Sequence, residues 1–190
     1  MIAVVAYGAG NLRSVANALD HLAIAYEITS DAGILSEADK ILLPGVGHFG
    51  PMMKRLETTG LAEAIRTLAI AGKPLLGICL GMQALFETSD EAPGVAGLGL
   101  LRGHVRRFAV DLPVPQIGWN EVSHGCHRDW YYFANSLYVP VGPVTEAVAE
   151  YGTQFSASVK DGLIRGFQFH PEKSGSAGLE LLRRWCEVGE

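Results

Sequence analysis

Residues 74–83 read Pro-Leu-Leu-Gly-Ile-Cys-Leu-Gly-Met-Gln, and this stretch decides the fold. It starts as an apolar run, passes through a G-x-C-x-G motif centred on Cys79, and continues with helical character over residues 80–88. The small residues Gly77 and Gly81 allow a sharp turn from strand to helix, which leaves the side chain at the tip clear of its neighbours. The stretch therefore predicts a strand, a tight turn that presents a cysteine, and a helix.

The first half of the chain repeats this alternation of strand and helix. Short apolar segments predict strands at residues 2–6, 25–29, 40–43 and 74–78. Apolar side chains at helical spacing predict further helices at residues 12–22 and 51–71, the second with a break near Gly60. Short strands that are apolar on both faces and alternate with helices indicate a parallel sheet covered on both sides.

The second half has a different character. Its short segments are rich in aromatic and β-branched residues and predict antiparallel or mixed strands at residues 105–110, 120–123, 130–139, 146–151, 155–160 and 163–169. Asp161-Gly162 predicts a hairpin turn, and residues 176–186 predict a last helix. We therefore expect residues 1–190 to form a single α/β domain, with a mostly parallel central sheet flanked by helices and a β-rich C-terminal half.

Charge and composition exclude several classes of function. The net charge is −5 and the basic residues are not concentrated in one long run, which argues against a nucleic-acid partner. No stretch approaches the ~20 apolar residues that span a bilayer, and the N-terminus resembles a strand rather than a signal peptide. Because Cys79, Cys126 and Cys186 form no C-x-x-C pair, we expect no metal site and a reducing, cytoplasmic location.

Cys79 has the surroundings of a nucleophile. The turn places it at the N-terminus of a helix, where backbone N–H groups favour a thiolate. The N–H of the next residue, Leu80, is then available to an oxyanion. The alternative is a buried structural cysteine in a glycine-rich turn, which this context disfavours.

A base for the thiol is suggested by residues 168–172, Gln-Phe-His-Pro-Glu. Pro171 biases His170 towards an extended conformation, in which side chains two apart point to the same side. Glu172 can then accept the imidazole N–H of His170 and fix its tautomer. A surface turn is the alternative for a His-Pro-Glu sequence taken alone.

Two glycine-rich loops remain. Glycines in residues 44–47, Pro-Gly-Val-Gly, would allow backbone N–H groups to approach a ligand, although a plain turn is as good an interpretation. Gly8-Ala9-Gly10 follows the first strand, but Arg13 occupies the position of the third glycine of a dinucleotide motif. A dinucleotide site is therefore disfavoured.

Together these motifs resemble the class I (triad) glutamine amidotransferases, which have a flavodoxin-like sheet. The finer pattern is similar to the glutaminase subunit of imidazole glycerol phosphate synthase, and the likeness covers essentially the whole chain. The segments that carry the finer resemblance are residues 7–15 (Tyr-Gly-Ala-Gly-Asn-Leu-Arg-Ser-Val), 44–49 (Pro-Gly-Val-Gly-His-Phe), 118–120 (Gly-Trp-Asn) and 170–174 (His-Pro-Glu-Lys-Ser).

The resemblance implies a catalytic triad of Cys79, His170 and Glu172 that hydrolyses L-glutamine to glutamate and ammonia through a thioester, without a cofactor. It implies oxyanion stabilisation by the N–H of Leu80 and by the strand Gly45, Val46 and Gly47. It places Gln83 and Ser136 at the amino acid portion of the substrate. It also implies a heterodimer with a (β/α)₈ cyclase subunit of histidine biosynthesis, which receives the ammonia near Asn11, Trp119 and Lys173.

The sequence departs from the family pattern at Ala6, Gln116 and Asn135, none of which belongs to the triad. Three alternative functions stay open. The chain could be a glutaminase of another pathway in the same superfamily, a γ-glutamyl hydrolase or cysteine peptidase, or a catalytically silent subunit.

Overall fold

The computed structural model describes residues 1–8 and 12–187 of the chain. Its first half alternates strands and helices as predicted. The strands are β1 (Ile2–Val5), β2 (Tyr26–Thr29), β3 (Lys40–Gly45) and β4 (Leu75–Cys79). The helices are α1 (Leu12–His21), α2 (Ala32–Glu37), α3 (Phe49–Thr58), α4 (Leu61–Ile70) and α5 (Leu80–Ala84).

The second half is mainly β-structure. Its strands are β5 (Thr88–Ser89), β6 (His104–Arg107), β7 (Gln116–His124), β8 (His127–Asn135), β9 (Leu137–Tyr138), β10 (Thr145–Glu150), β11 (Gln154–Asp161) and β12 (Ile164–Phe167). A 3₁₀ turn at Pro171–Lys173 and helix α6 (Gly175–Glu187) follow the last strand.

Nine of these strands form one sheet in the order β2-β1-β3-β4-β12-β11-β10-β7-β8. The pairs from β2 to β12 are parallel, and those from β12 to β8 are antiparallel. Strand β12 is therefore the junction between the two halves. Because β4 and β12 are parallel neighbours, the residues at their carboxyl ends, including the predicted nucleophile and base, meet at the same edge of the sheet.

Apolar side chains cover both faces of the parallel part, as the sequence predicts. Successive residues of one strand fall into two separate clusters, since side chains alternate across a sheet. Leu43 and Leu75 belong to the first cluster, whereas Leu42 and Leu76 belong to the second.

Several element boundaries differ from the sequence predictions. Strand β3 runs through Pro44 to Gly45 instead of stopping at residue 43, because its pairing with β1 ends at Leu42 and proline is tolerated where a strand has one neighbour only. The helix predicted over residues 80–88 ends at Ala84. Helix α2 was not predicted, although Asp31 caps it by accepting a hydrogen bond from the Gly33 N–H.

Two turn predictions are confirmed. Gly60, with φ 74°, separates α3 from α4, and Gly162, with φ 55°, lies in the hairpin that joins the antiparallel strands β11 and β12. Both glycines adopt the left-handed conformation that other residues avoid. Within residues 1–8 and 12–187, no helix is both long and apolar enough to cross a membrane.

Candidate active site

The turn between β4 and α5 has the geometry that the G-x-C-x-G motif predicts. Cys79 ends β4 with φ 54° and ψ −111°, a conformation that costs a residue with a side chain about 1–3 kcal/mol. Such strain persists only where the surrounding structure imposes it, and it is common at active sites. The thiol lies at the N-terminus of α5, but it is buried and does not stand clear of its neighbours as the motif predicted.

Close backbone packing explains the glycines around Cys79. A Cβ atom on Gly77 would lie 2.6 Å from the carbonyl oxygen of Gly81. One on Gly81 would overlap the Leu43 carbonyl oxygen, and one on Gly45 would overlap the Gly81 nitrogen. The turn therefore requires that β3, β4 and the start of α5 touch through bare backbone.

We expect Gly81→Ala to destabilise the protein by about 3 kcal/mol or more, because the added methyl group meets backbone atoms that cannot move aside. For a chain of this size, that corresponds to a fall of roughly 6–12 °C in the thermal unfolding midpoint. Gly142→Ala is the matched control, since the nearest atom to its added Cβ would be 3.9 Å away. Equal unfolding midpoints for the two variants would contradict the packing described here.

The structure brings the three predicted triad residues together. His170 Nδ1 lies 2.8 Å from Glu172 Oε1, and both side chains are only 4% exposed. His170 is extended, with φ −99° and ψ 95°, as Pro171 predicts. Glu172, however, returns to the imidazole through the 3₁₀ turn, rather than along a continuous extended segment as the sequence suggested.

The backbone of His170 is fixed by strand β8. The His170 N–H donates to the Tyr132 carbonyl at 2.9 Å. Ser174 Oγ donates to the His170 carbonyl at 2.6 Å and accepts from the Tyr132 N–H at 2.9 Å. These bonds hold the segment after β12 against its neighbour, so the position of the imidazole is set by backbone contacts.

Electrostatics favour a charged imidazole at this position. Burial opposes the charge, but hydrogen bonds to Cys79 and Glu172, together with the negative charge of both, raise the pKa of His170 from 6.5 to about 10. A protonated His170 beside Cys79 supplies a positive charge that stabilises negative charge on the sulfur, the form in which cysteine acts as a nucleophile. The site therefore holds a nucleophile and a proton donor in contact.

The predicted oxyanion strand lies directly beside the nucleophile. Gly45 is the register partner of Cys79 in the β3–β4 pair, and Gly47, with φ 99°, allows the chain to turn into α3. Burial raises the pKa of the Tyr7 phenol, and the nearby backbone of Val46 offsets part of that rise. The oxyanion roles of Gly45, Val46, Gly47 and the Leu80 N–H stay predictions.

Gln83 lies close in space to Ser136, because it bonds the backbone of the next residue, Leu137. The Gln83 side chain is buried, and its Nε2 donates to the Leu137 carbonyl at 3.3 Å and to Gln168 Oε1 at 2.9 Å. The Ser136 carbonyl accepts a hydrogen bond of 3.1 Å from the Phe108 N–H. Their roles in substrate binding stay predictions.

Sequence reasoning missed Gln168. Its Nε2 lies 3.8 Å from Cys79 Sγ, and the Ala134 carbonyl oxygen lies 4.0 Å from the same sulfur. The signal was present in the sequence, because Gln168 stands two positions before His170 and side chains two apart in a strand share a face.

Two of the three predicted partner residues surround one aromatic ring. Trp119 packs edge-on against Tyr132 with ring centroids 6.3 Å apart, and Lys173 Nζ lies 6.0 Å from the centre of the same ring. Asn11 lies outside the described residues. Strands β7 and β8 also expose Ile117 and Trp130, which the sequence analysis did not single out. We call Ile117, Trp119, Trp130 and Tyr132 the β7–β8 surface.

Comparison with known proteins agrees with this geometry. Residues 3–187 match the family model of class I glutamine amidotransferases. The imidazole glycerol phosphate synthase subunit HisH of Methanothermobacter thermautotrophicus is 44% identical over 197 residues, which cover 99% of this chain and 98% of that protein. The HisH subunit of Thermus thermophilus is 46% identical over 191 residues, 96% of each chain. The chain belongs to the HisH family of class I glutamine amidotransferases.

Solved structures confirm the fold of this glutamine amidotransferase. A crystal structure described as glutamine amidotransferase superimposes with a TM-score of 0.81 at 22% identity, covering 98% of this chain and 99% of that one. The PurLQS structure from Thermotoga maritima gives 0.73 at 20% identity, covering 97% of this chain and 96% of the other. These superpositions confirm the predicted α/β fold class, and the sequence matches confirm the family resemblance.

Proposed function

We propose that this chain is the glutaminase subunit of imidazole glycerol phosphate synthase, acting in histidine biosynthesis. It hydrolyses L-glutamine to glutamate and ammonia and delivers the ammonia to a (β/α)₈ cyclase subunit. The observation that carries the proposal is the buried contact of Cys79, His170 and Glu172 in a chain of the HisH family. The intact triad disfavours a catalytically silent subunit.

The reaction begins when the Cys79 thiolate attacks the carboxamide carbon of glutamine. The tetrahedral oxyanion is stabilised by the N–H of Leu80 and by an N–H from Gly45, Val46 or Gly47. When the intermediate collapses, the carbon–nitrogen bond breaks and His170 gives its proton to the departing ammonia. A glutamyl thioester on Cys79 remains.

Water completes the cycle. Neutral His170 takes a proton from a water molecule, whose oxygen attacks the thioester carbon. The carbon–sulfur bond breaks, glutamate is released, and the thiolate and imidazolium are restored. Glu172 accepts the Nδ1–H throughout, which leaves Nε2 as the nitrogen that exchanges protons. Gln83 and Ser136 hold the amino acid portion of the substrate during both steps.

The β7–β8 surface is the proposed contact with the cyclase. Exposed large apolar residues that cluster on one face mark protein–protein contacts. This surface adjoins the active site, because the backbone of Tyr132 is bonded to that of His170. A partner seated here, with Asn11 and Lys173 at its edge, would take up ammonia before solvent could protonate it.

The isolated chain should turn glutamine over slowly, since the segment Gly45–Gly47 can present a carbonyl instead of an N–H until the cyclase and its ligand bind. A cytoplasmic location goes with this function, and the three cysteines are free thiols, as in a reducing compartment.

The test is co-purification with the cyclase, followed by glutamate release with and without the cyclase's ligand. We expect the complex to form and the ligand to accelerate release. Trp119→Ala should weaken the complex by about 10- to 100-fold, because a large aromatic side chain at an interface contributes strongly to binding. Ile70→Ala is the control, since Ile70 is 80% exposed at the end of α4, away from the active-site edge.

A second assay, with γ-glutamyl peptides as substrates, distinguishes the alternative functions. Rapid hydrolysis of γ-glutamyl peptides, detected by mass spectrometry, together with no binding to the cyclase would identify a hydrolase or peptidase. Equal affinity of the Trp119→Ala and wild-type proteins for the cyclase would show that the β7–β8 surface is not the contact.

A further inference from the structure

A chain of side-chain hydrogen bonds ends on the catalytic sulfur. Gln83 Nε2 donates to the Leu137 carbonyl at 3.3 Å and to Gln168 Oε1 at 2.9 Å. Gln168 Nε2 in turn lies 3.8 Å from Cys79 Sγ, within hydrogen-bonding distance of a sulfur atom. The chain therefore runs from Leu137 through both glutamines to Cys79.

The direction of these bonds is fixed at the Leu137 end. A backbone carbonyl oxygen only accepts, so Gln83 must present its NH₂ group there. The same NH₂ group then meets the oxygen of Gln168, which leaves the NH₂ group of Gln168 facing the sulfur. Each amide orients the next, and Gln168 approaches Cys79 as a donor.

Burial fixes the orientations of the Gln83 and Gln168 side-chain amides. Gln168 is 0% exposed and Gln83 is 3% exposed, so neither amide can turn to water. A buried amide without partners is costly, which favours the one orientation that satisfies both side chains. The backbone of Gln168 is also held, because its N–H donates to the Ala157 carbonyl of β11 at 2.9 Å.

Gln168 and His170 approach the sulfur from one strand end. They are two positions apart, and each directs a side-chain N–H to Cys79. The triad accounts for the donor from His170 but leaves the donor from Gln168 without a role. An N–H that points at a thiolate stabilises the negative charge directly.

We propose that Gln168 is a second donor to the nucleophilic sulfur, oriented by Gln83 as a positioning residue. This inference deepens the proposed function and rests on it. The Gln168 side chain acts at two points of the reaction. It stabilises the thiolate before the attack on glutamine, and again when the carbon–sulfur bond of the thioester breaks. His170 is then free to move its proton without leaving the sulfur unbonded.

The test is the pH dependence of Cys79 alkylation by iodoacetamide, followed by peptide mass spectrometry. We expect the pH of half-maximal rate to rise by about one unit or more in Gln168→Leu, since hydrogen bonds to charged groups exceed one pKa unit in free energy. Gln168→Glu should shift it further, because a carboxylate repels the thiolate. Gln83→Leu should give a smaller shift, because Gln168 keeps its NH₂ group but loses its orientation.

Two controls accompany the series. Gln116→Leu removes another buried glutamine and should leave the profile of Cys79 unchanged. The exposed Cys126 serves as an internal reference in every sample, with the same profile in all variants. Thermal unfolding midpoints show which variants fold. If Gln168→Leu does not fold, the alkylation profiles of Gln168→Glu and Gln83→Leu decide whether Gln168 donates to Cys79.

The outcomes separate this inference from the proposed function. Alkylation requires neither glutamine nor the cyclase, so a shifted profile supports the Gln168 donor even in a chain that releases no glutamate. The inference is overturned if the pH of half-maximal alkylation in folded Gln168 variants stays within about 0.3 units of wild type, whatever happens to turnover. Such a shift is well below the ~1 unit expected from the loss of one hydrogen bond to a charged group.

Discussion

Cys79→Ala is expected to lower glutamine-dependent turnover of the complex by about 10⁴-fold or more, the range found when a nucleophile is removed from a triad. The reason is chemical, because alanine has no atom that can form the thioester. The cyclase, in contrast, should keep its full rate when ammonium salts replace glutamine, since ammonia then reaches it from solution. Both rates are measured on the purified complex.

Cys79→Ala also tests whether the strained turn depends on the cysteine side chain. Alanine fits at φ 54° no better than cysteine does, so the fold should remain and the unfolding midpoint should stay close to wild type. Loss of the ammonia-driven reaction as well would mean that Cys79 has a structural role in the complex. Cys126→Ser is the matched control, because that thiol is exposed and remote from the triad in sequence.

Glu172→Gln is expected to lower kcat/KM for glutamine by about 10³- to 10⁴-fold, as loss of the orienting carboxylate does in other triads. The amide removes the negative charge beside His170 and can donate to Nδ1 instead of accepting from it. The imidazole then loses both its preferred tautomer and the partner that stabilises its charge.

The pH dependence has a defined sign. With Glu172 present, the pKa of His170 is raised to about 10, so the imidazolium persists from neutral pH up to that value. Without the carboxylate, the imidazolium is less stable, and the upper end of the active range moves to lower pH. The thiolate simultaneously loses part of its counter-charge, so alkylation of Cys79 should begin at higher pH.

We therefore expect Glu172→Gln to be active over a narrower pH range than wild type. Rates are measured from about pH 5 to pH 11, which spans the unperturbed histidine pKa near 6.5. Glu63→Gln provides the comparison, since that carboxylate is 79% exposed and bonded only at the surface. An unchanged range with a lower rate would indicate that Glu172 orients the imidazole without influencing its charge.

Much of this site could be predicted from local sequence. The glycines around Cys79 specify a turn that admits few other backbones, and Pro171 restricts His170 in the same local way. The sequence also distinguished the parallel from the antiparallel half, because continuous apolar runs differ in composition from short segments rich in aromatic and β-branched residues. These signals each lie within about ten residues, the length over which hydrophobic periodicity is informative.

What could not be predicted depends on contacts between distant segments. The spacing to His170 could have placed Gln168 near the sulfur, but the hydrogen bonds from Gln83 to Gln168 and to Leu137 join distant segments, and nothing local to them indicates these bonds. The β7–β8 surface likewise depends on strand register, which places Trp119 opposite Tyr132. The return of Glu172 through a 3₁₀ turn was missed because an extended segment gives the same pairing of residues two apart.

The position of β12 between β4 and β11 has a consequence for the life of the chain on the ribosome. The thiol is synthesised before its imidazole, because β12, the strand that precedes His170, pairs with β4 from about 90 positions further along the chain. Until that pairing forms, the sulfur has no imidazole beside it, so the catalytic pair exists only in the completed sheet. A partly folded chain in which β12 has not yet paired with β4 therefore lacks the imidazole beside Cys79.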